Sequence, residues 1–223
     1  MAEWLDTVFA GFDFTILRAI HEFAVATGGF FTPLMYFVSI FAWKGLGMIL
    51  LGAALLFPRR TRRVGVCILL AVLLGALVTN LLLKPTVARA RPYAGAGQIT
   101  DWWIFAGGAR ESDLSFPSGH TTATAAAMVA LFLSFKRRYA FPALIFALLM
   151  GFSRMYLMVH YPTDVLAGLL IGALAAVAAF FAVRALFRLA ARHPENRFCR
   201  VLCGGCPADP SHKTGGADGD RKE

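Results

Sequence analysis

Five long apolar runs constrain this chain more than any other feature. They occupy residues 31–57, 64–83, 118–135, 140–158 and 163–190. A helix needs about 20 mostly apolar residues to cross the hydrocarbon core of a bilayer, and its backbone hydrogen bonds must close within the segment. The chain is 58% hydrophobic and 16% charged, where a soluble domain carries about a quarter charged residues. An all-α fold follows: a polytopic transmembrane helical bundle.

The runs differ in detail. The first is interrupted by Trp43-Lys44-Gly45. A lysine at mid-membrane is costly, so the run either breaks there or turns Lys44 toward the bundle interior. Run 118–135 is short and rich in Thr and Ala, which suits close helix packing. Run 163–190 carries Gly168 and Gly172 at GxxxG spacing, a weak packing signal. Ahead of them, residues 12–27 are amphipathic. Phe12, Ile16, Ile20 and Phe23 recur at helical spacing, while Arg18, His21 and Glu22 are polar. That segment is short and charged for a crossing, so a helix lying in the interface is expected, with a sixth span as the alternative. The prediction is five to six spans plus an N-terminal interfacial helix. Three parts result: an N-terminal amphipathic segment 1–30, a transmembrane domain 31–192, and a disordered cytoplasmic tail 193–223. No cleavable signal peptide is expected, because Glu3 and Asp6 stand where a basic n-region would be.

The net charge is +9 and unevenly placed. Basic residues cluster at Arg59, Arg60, Arg62 and Arg63, at Lys136, Arg137 and Arg138, and at Arg184, Arg188 and Arg192. Each cluster ends an apolar run, which argues for membrane anchors and against nucleic-acid binding. Placing the basic loops 58–63 and 136–138 and the basic tail in the cytoplasm fits the alternation of spans. Loops 84–117 and 159–162 then lie outside. Cys67 reads as a packed residue. Cys199, Cys203 and Cys206 match the spacing of the iron–sulfur motif of radical enzymes that use S-adenosylmethionine, but the tail has no room for such an enzyme's barrel. Three reduced thiols are expected there, with a zinc site as the alternative.

The ionisable residues at the external ends converge. Lys84 and Arg91 stand in the long loop, Ser118, Gly119 and His120 open the third run, Ser153 and Arg154 close the fourth, and His160 and Asp164 bracket the start of the fifth. Ionisable groups near membrane depth mark a functional site by default. His160 and Asp164 are four residues apart around Pro162, a residue favoured in a first helical turn. A carboxylate on one imidazole nitrogen fixes the tautomer and frees the other nitrogen to attack; Asp164 could instead simply stabilise its own helix start. The helix start at Pro117-Ser118-Gly119-His120 offers unpaired amides to an anion, or an ordinary Ser cap. Lys84, Arg91 and Arg154 supply three cations without an equal number of nearby acids, as phosphoryl transfer requires.

Three segments together resemble the signature of the type 2 phosphatidic acid phosphatase superfamily. They are Lys84-(six residues)-Arg91-Pro92, Pro117-Ser118-Gly119-His120, and Ser153-Arg154-(five residues)-His160-(three residues)-Asp164. The resemblance covers roughly residues 30–190. It implies a core like that of vanadium haloperoxidases and metal-independent hydrolysis of a lipid phosphate, with no cofactor. By the same resemblance His160 is the nucleophile that forms a phosphohistidine, Asp164 its orienting partner and His120 the general acid. Lys84, Arg91, Ser118, Gly119, Ser153 and Arg154 hold the phosphate, with shaping of its turn as the alternative role for Ser153. The small size and the short turn His160-Tyr161-Pro162-Thr163-Asp164 are similar to bacterial undecaprenyl pyrophosphate phosphatases, which act on the outer face of the cell membrane. Phosphatidylglycerophosphate, phosphatidic acid, diacylglycerol pyrophosphate and lipid A are the alternative substrates. Loop 93–116, with Trp102, Trp103, Arg110, Glu111 and Asp113, is expected to choose among them, the tryptophans serving first as interfacial anchors. A haloperoxidase and a non-enzymatic lipid transporter are the readings from other classes.

Overall fold

A computed structural model describes residues 1–192 apart from Ala42 and Ala96, and without the side chains of Lys44, Arg137, Tyr139 and Ala191. The tail 193–223, with Cys199, Cys203 and Cys206, lies outside the described residues. Residues Met1–Arg184 form one compact unit, and a second begins at Ala185.

Every regular element among the described residues is helical. Helices α1 (Ala2–Val8) and α2 (Ala10–Ala26) precede the first apolar run. That run gives α3 (Thr32–Phe41) and α4 (Leu46–Leu56), joined by a 3₁₀ turn at Trp43–Gly45. Helix α5 (Arg62–Ala76) passes without a break into wide π-helical turns over Leu77–Leu83 and then into α6 (Lys84–Val87). A short helix α7 (Gln98–Phe105) lies in the long loop. Helices α8 (Gly119–Ser134), α9 (Arg137–Tyr156) and α10 (Pro162–Ala191) follow.

The first run does break where the Trp-Lys-Gly triplet falls. Gly45 adopts φ +79°, a left-handed conformation that suits glycine, and it starts α4. The helices on either side are bent by 53° and together meet the length and hydropathy of one crossing. The helical stretch counted over Arg62–Ala94, whose regular part ends at Val87, and the helix Pro162–Ala190 meet that standard alone, while the apolar part of α9, Ala140–Tyr156, is shorter. By length and composition the described residues thus hold two to three crossings, against five to six expected. The other expected runs are helices too, but short: α8 has only 16 residues, roughly 24 Å of helix against about 30 Å of hydrocarbon.

Helix α8 is also enclosed. Residues His120 through Met128 and Ala130 are buried, and most are Ala or Thr. Small side chains let neighbouring backbones approach closely. The glycines of α10 complete this contact. A Cβ on Gly172 would lie 2.5 Å from the Thr122 carbonyl oxygen, and one on Gly168 2.9 Å from that of Ser118. The GxxxG pair is therefore the packing face of α10 against α8. Its opposite face, Leu166, Leu170 and Leu174, is exposed, as lipid contact requires.

The N-terminal helix departs from the expected register. Phe12 and Phe23 are exposed, and the buried positions of α2 are Asp13, Leu17, Ile20 and Ala24. Leu17, Ile20 and Ala24 pack with Met35 of α3 and with Tyr156, Leu157, Met158 and Val159 after α9. Helix α2 thus lies over the loop that carries His160, and its buried stripe includes a carboxylate.

Candidate active site

Chain direction gathers the signature residues. Helices α5 to α6 and α9 run toward one end of the bundle, and α8 and α10 start from it. Lys84, Gly119, His120, Arg154, His160 and Asp164 therefore share that end. Pro85 assists locally: it offers no N–H to the preceding turn and crowds its carbonyl, which favours the wide turns leading to Lys84.

His160 is fully enclosed, at 1% exposure. Its Nε2 accepts a hydrogen bond from Arg91 Nη1 at 2.9 Å. A guanidinium can only donate, so Nε2 carries the lone pair and the proton sits on Nδ1. That nitrogen faces Asp164 Oδ2 at 3.4 Å and Ser115 Oγ at 3.5 Å. The expected His–Asp pair is present but long for a hydrogen bond. Burial, followed by Arg91, Arg154 and Lys84, holds the His160 imidazole well below its usual pKa, against an opposing effect of Asp113. The ring is neutral at physiological pH, the form that can attack phosphorus.

Asp164 has stronger partners than His160. Arg89 Nη1 donates to its Oδ1 at 2.7 Å. Ser115 Oγ donates to Oδ2 at 2.5 Å, and the Tyr161 amide donates to the same oxygen at 3.0 Å. Arg89, Ser115 and Asp13 were absent from the sequence-derived site.

The three cations are not short of acids, as the sequence suggested. Lys84 and Arg91 both bond Asp113, Arg91 through Nη2 to Oδ1 at 2.5 Å and through Nε to the backbone carbonyl at 2.9 Å. Arg154 bonds Glu111 and the Ser39 hydroxyl. The acids come from the loop between α7 and α8, which folds back over the cations. Burial alone would raise the Asp113 carboxyl, but Lys84 and Arg91 outweigh it and hold it at about 2. Among the described residues, Arg154 Nε is buried with no partner, so one N–H remains for a further acceptor.

Other expected residues play local parts. Ser118 makes no capping bond through its side chain. Its hydroxyl accepts from Thr121 Oγ1 at 2.9 Å, and its amide donates to the Asp164 carbonyl at 3.1 Å, joining the starts of α8 and α10. Ser153 Oγ donates to the Met150 carbonyl at 2.7 Å, away from the cations. Gly119 leaves room beside Lys84: a Cβ there would stand 3.7 Å from Nζ. His120 lines a cavity of about 320 Å³ together with Lys84, Asp113, Gly119 and, deeper, Val72 and Ala76 of α5. It also borders a second cavity of about 300 Å³ that reaches Arg154. Trp102 stacks on His21 of α2 and Trp103 on Tyr93, with ring centroids 4.9 and 4.7 Å apart, so both brace the loop.

The family model of the PAP2 superfamily matches residues 65–188, which includes every signature residue named above. The chain belongs to that superfamily. It is 29% identical over 162 residues to an undecaprenyl-diphosphatase of Sulfolobus acidocaldarius, covering 73% of this chain and 74% of the relative. It is 30% identical over 161 residues to the undecaprenyl-diphosphatase BcrC of Bacillus subtilis, covering 71% and 78%. The crystal structure of a transmembrane PAP2-type phosphatidylglycerolphosphate phosphatase from Bacillus subtilis matches with a TM-score of 0.58 at 28% identity, covering 88% of this chain and 92% of that one. The PAP2 chain described here is thus a membrane protein of a phosphatase family.

Proposed function

We propose that this PAP2 protein hydrolyses undecaprenyl diphosphate to undecaprenyl phosphate and inorganic phosphate on the extracytoplasmic face of the cell membrane. One observation carries the chemistry: a neutral, buried imidazole whose lone pair points at Arg91, beside Lys84 and Arg154. The lipid stays in the bilayer, and its terminal phosphate takes over the bonds that Asp113 and Glu111 make to the cations. These three side chains supply the positive charge that a transferring phosphoryl group needs. Arg91 Nη1 transfers its hydrogen bond from His160 Nε2 to a phosphate oxygen, the freed Nε2 lone pair attacks the terminal phosphorus, and the bond to the bridging oxygen breaks. His120 gives its proton to that oxygen as undecaprenyl phosphate leaves. Water then attacks the phosphohistidine, giving a proton to His120. The N–P bond breaks, inorganic phosphate leaves, and both histidines return to their starting states.

The choice of a polyprenyl diphosphate is supported by the coverage of the two undecaprenyl-diphosphatases. The basic loops, all on one side of the chain's alternating runs, support the outward-facing site. Phosphate release by purified protein, with undecaprenyl diphosphate, phosphatidylglycerophosphate, phosphatidic acid and lipid A as substrates, tests the reading. The expected result is highest kcat/KM on the diphosphate, loss of at least about 10³-fold in His160→Ala, and no change on adding a chelator. Equal rates in wild type and His160→Ala exclude the nucleophile. Preference for a glycerolipid overturns the substrate, and loss of activity with the chelator overturns the metal-independent route.

A further inference from the structure

Arg89 lies one turn beyond Lys84, is 1% exposed, and uses every arm of its guanidinium. Nε donates to Asp6 at 2.8 Å and Nη2 to Asp13 Oδ2 at 2.8 Å. Nη1 donates to the Thr163 hydroxyl and to Asp164 Oδ1, both at 2.7 Å. The Tyr161 ring covers the group, its centroid 3.8 Å from Cζ. Asp13 is 2% exposed and bonds the start of α10 as well. Its Oδ1 accepts from the Thr163 amide at 2.9 Å, and its Oδ2 accepts from the Thr163 hydroxyl at 2.7 Å. A carboxylate from α2 thus satisfies an amide of the first turn of α10 and places negative charge where the helix dipole favours it.

Removing either partner of such a buried pair leaves an uncompensated charge, so each of Arg89 and Asp13 requires the other. The pair also decides how Asp164 sits. With Oδ1 held by Arg89, the carboxylate cannot rotate, and Oδ2 faces Ser115, the Tyr161 amide and His160 Nδ1. Asp13 lies outside residues 65–188, where the family model matches.

We propose that Asp13 and Arg89 are positioning residues of the phosphatase reaction, through which the N-terminal helix α2 fixes the Asp164 carboxylate and hence the His160 ring. The proposal rests on His160 as the nucleophile. In it, α2 is a working part of the site rather than only a membrane-surface helix. The half-exposed Asp6 touches the same guanidinium but bonds nothing at α10, so it adds little.

The test uses purified full-length protein and undecaprenyl diphosphate in detergent, with kcat, KM and melting temperature measured for each variant. Asp13→Asn keeps the side chain's shape but turns an amide toward Arg89 or Thr163, where an acceptor is needed. Its kcat falls ten- to a hundredfold with KM within twofold of wild type. Arg89→Lys keeps the charge, loses the fork and falls comparably. The double variant Asp13→Asn/Arg89→Lys falls no further than Arg89→Lys alone, because the two act through one bond chain. Asp6→Asn stays within twofold. A wild-type kcat in Asp13→Asn, a loss confined to KM, or additive losses in the double variant overturns the proposal. Should Asp13→Asn fail to fold, Arg89→Lys decides it, and a wild-type kcat there is equally fatal. Failure of the nucleophile reading shows differently, as His160→Ala with undiminished phosphate release.

Discussion

Two clusters of acids and cations meet at this site, and they are built differently. The deep cluster holds Asp13, Arg89 and Asp164, with side chains at 2%, 1% and 0% exposure. The shallow cluster pairs Lys84 and Arg91 with Asp113, and Arg154 with Glu111, the acids being 48% and 19% exposed. In the deep cluster each carboxylate also accepts from backbone amides or hydroxyls, and water has no access to compete. In the shallow cluster the acids stand on a loop, Asp113 facing solvent and Glu111 partly covered. A buried pair is hard to break from one side, whereas the half-exposed Asp113 carboxylate stands where solvent screens its pairs and can replace them. The deep cluster is suited to hold geometry constant through a reaction. The shallow one is suited to exchange its carboxylates for the oxygens of a phosphate.

That division can be broken by substitution. The largest effect belongs to the deep cluster. Asp164→Asn cannot both accept from Arg89 and hold the Nδ1–H tautomer of His160. Its kcat for phosphate release is expected to fall on the order of 10³–10⁴-fold, as loss of an orienting carboxylate does in catalytic triads. A loss below tenfold removes the orienting role. Next come the cations. Lys84→Ala is expected to lower kcat/KM about 10²-fold, the usual effect of deleting one donor to a developing oxyanion. Asp113→Asn acts in the opposite direction. It frees Lys84 and Arg91 for substrate, so KM falls roughly two- to fivefold, the equivalent of one half-exposed pair, while kcat does not fall. A raised KM would mean that Asp113 contacts substrate instead of competing with it.

Much of this was legible in the sequence, for reasons that also mark the limit. The apolar runs over 64–83, 118–135, 140–158 and 163–190 located four helices because lipid selects composition along a whole segment. The interruption at Trp43-Lys44-Gly45 located the break in the first run. Lys84, Arg91, His120, Arg154, His160 and Asp164 were legible because their spacing is short-range and fixed. Arg89 was not. It lies between two expected cations and reads as one more basic residue, and its partners Asp164 and Asp13 are 75 and 76 positions away. Asp13 did leave a trace. It shares a helical face with Leu17, Ile20 and Ala24, and a carboxylate in an apolar stripe needs a buried partner. The aromatic residues Phe12 and Phe23 drew the expected stripe one position aside, because a lipid-facing residue and a core-facing one are equally apolar here. Glu111 and Asp113 read in sequence as part of a head-group-selecting loop, and only the fold brings them onto the cations.

The smallest effect tests the shallow cluster from the side of stability. The Asp113 carboxyl is held at about 2, below its ordinary value of 3.8, by Lys84 and Arg91 acting against burial. A depressed folded pKa means the pair stabilises the fold above the unfolded value, and that stabilisation is lost as pH falls from about 3.8 through about 2. At neutral pH the pair therefore contributes in full. Because Asp113 is half exposed, solvent screens the pair to well under the size of the nominal shift. Asp113→Asn is expected to lower the melting temperature at pH 7 by no more than a few degrees, and the difference from wild type should shrink as the buffer is taken toward pH 3. Inorganic phosphate narrows the gap further, because it binds the freed cations in the variant and must displace a carboxylate in the wild type. A large melting-temperature loss at pH 7 that phosphate does not restore would place Asp113 with the deep cluster, as a fixed part of the fold rather than an occupant that substrate displaces.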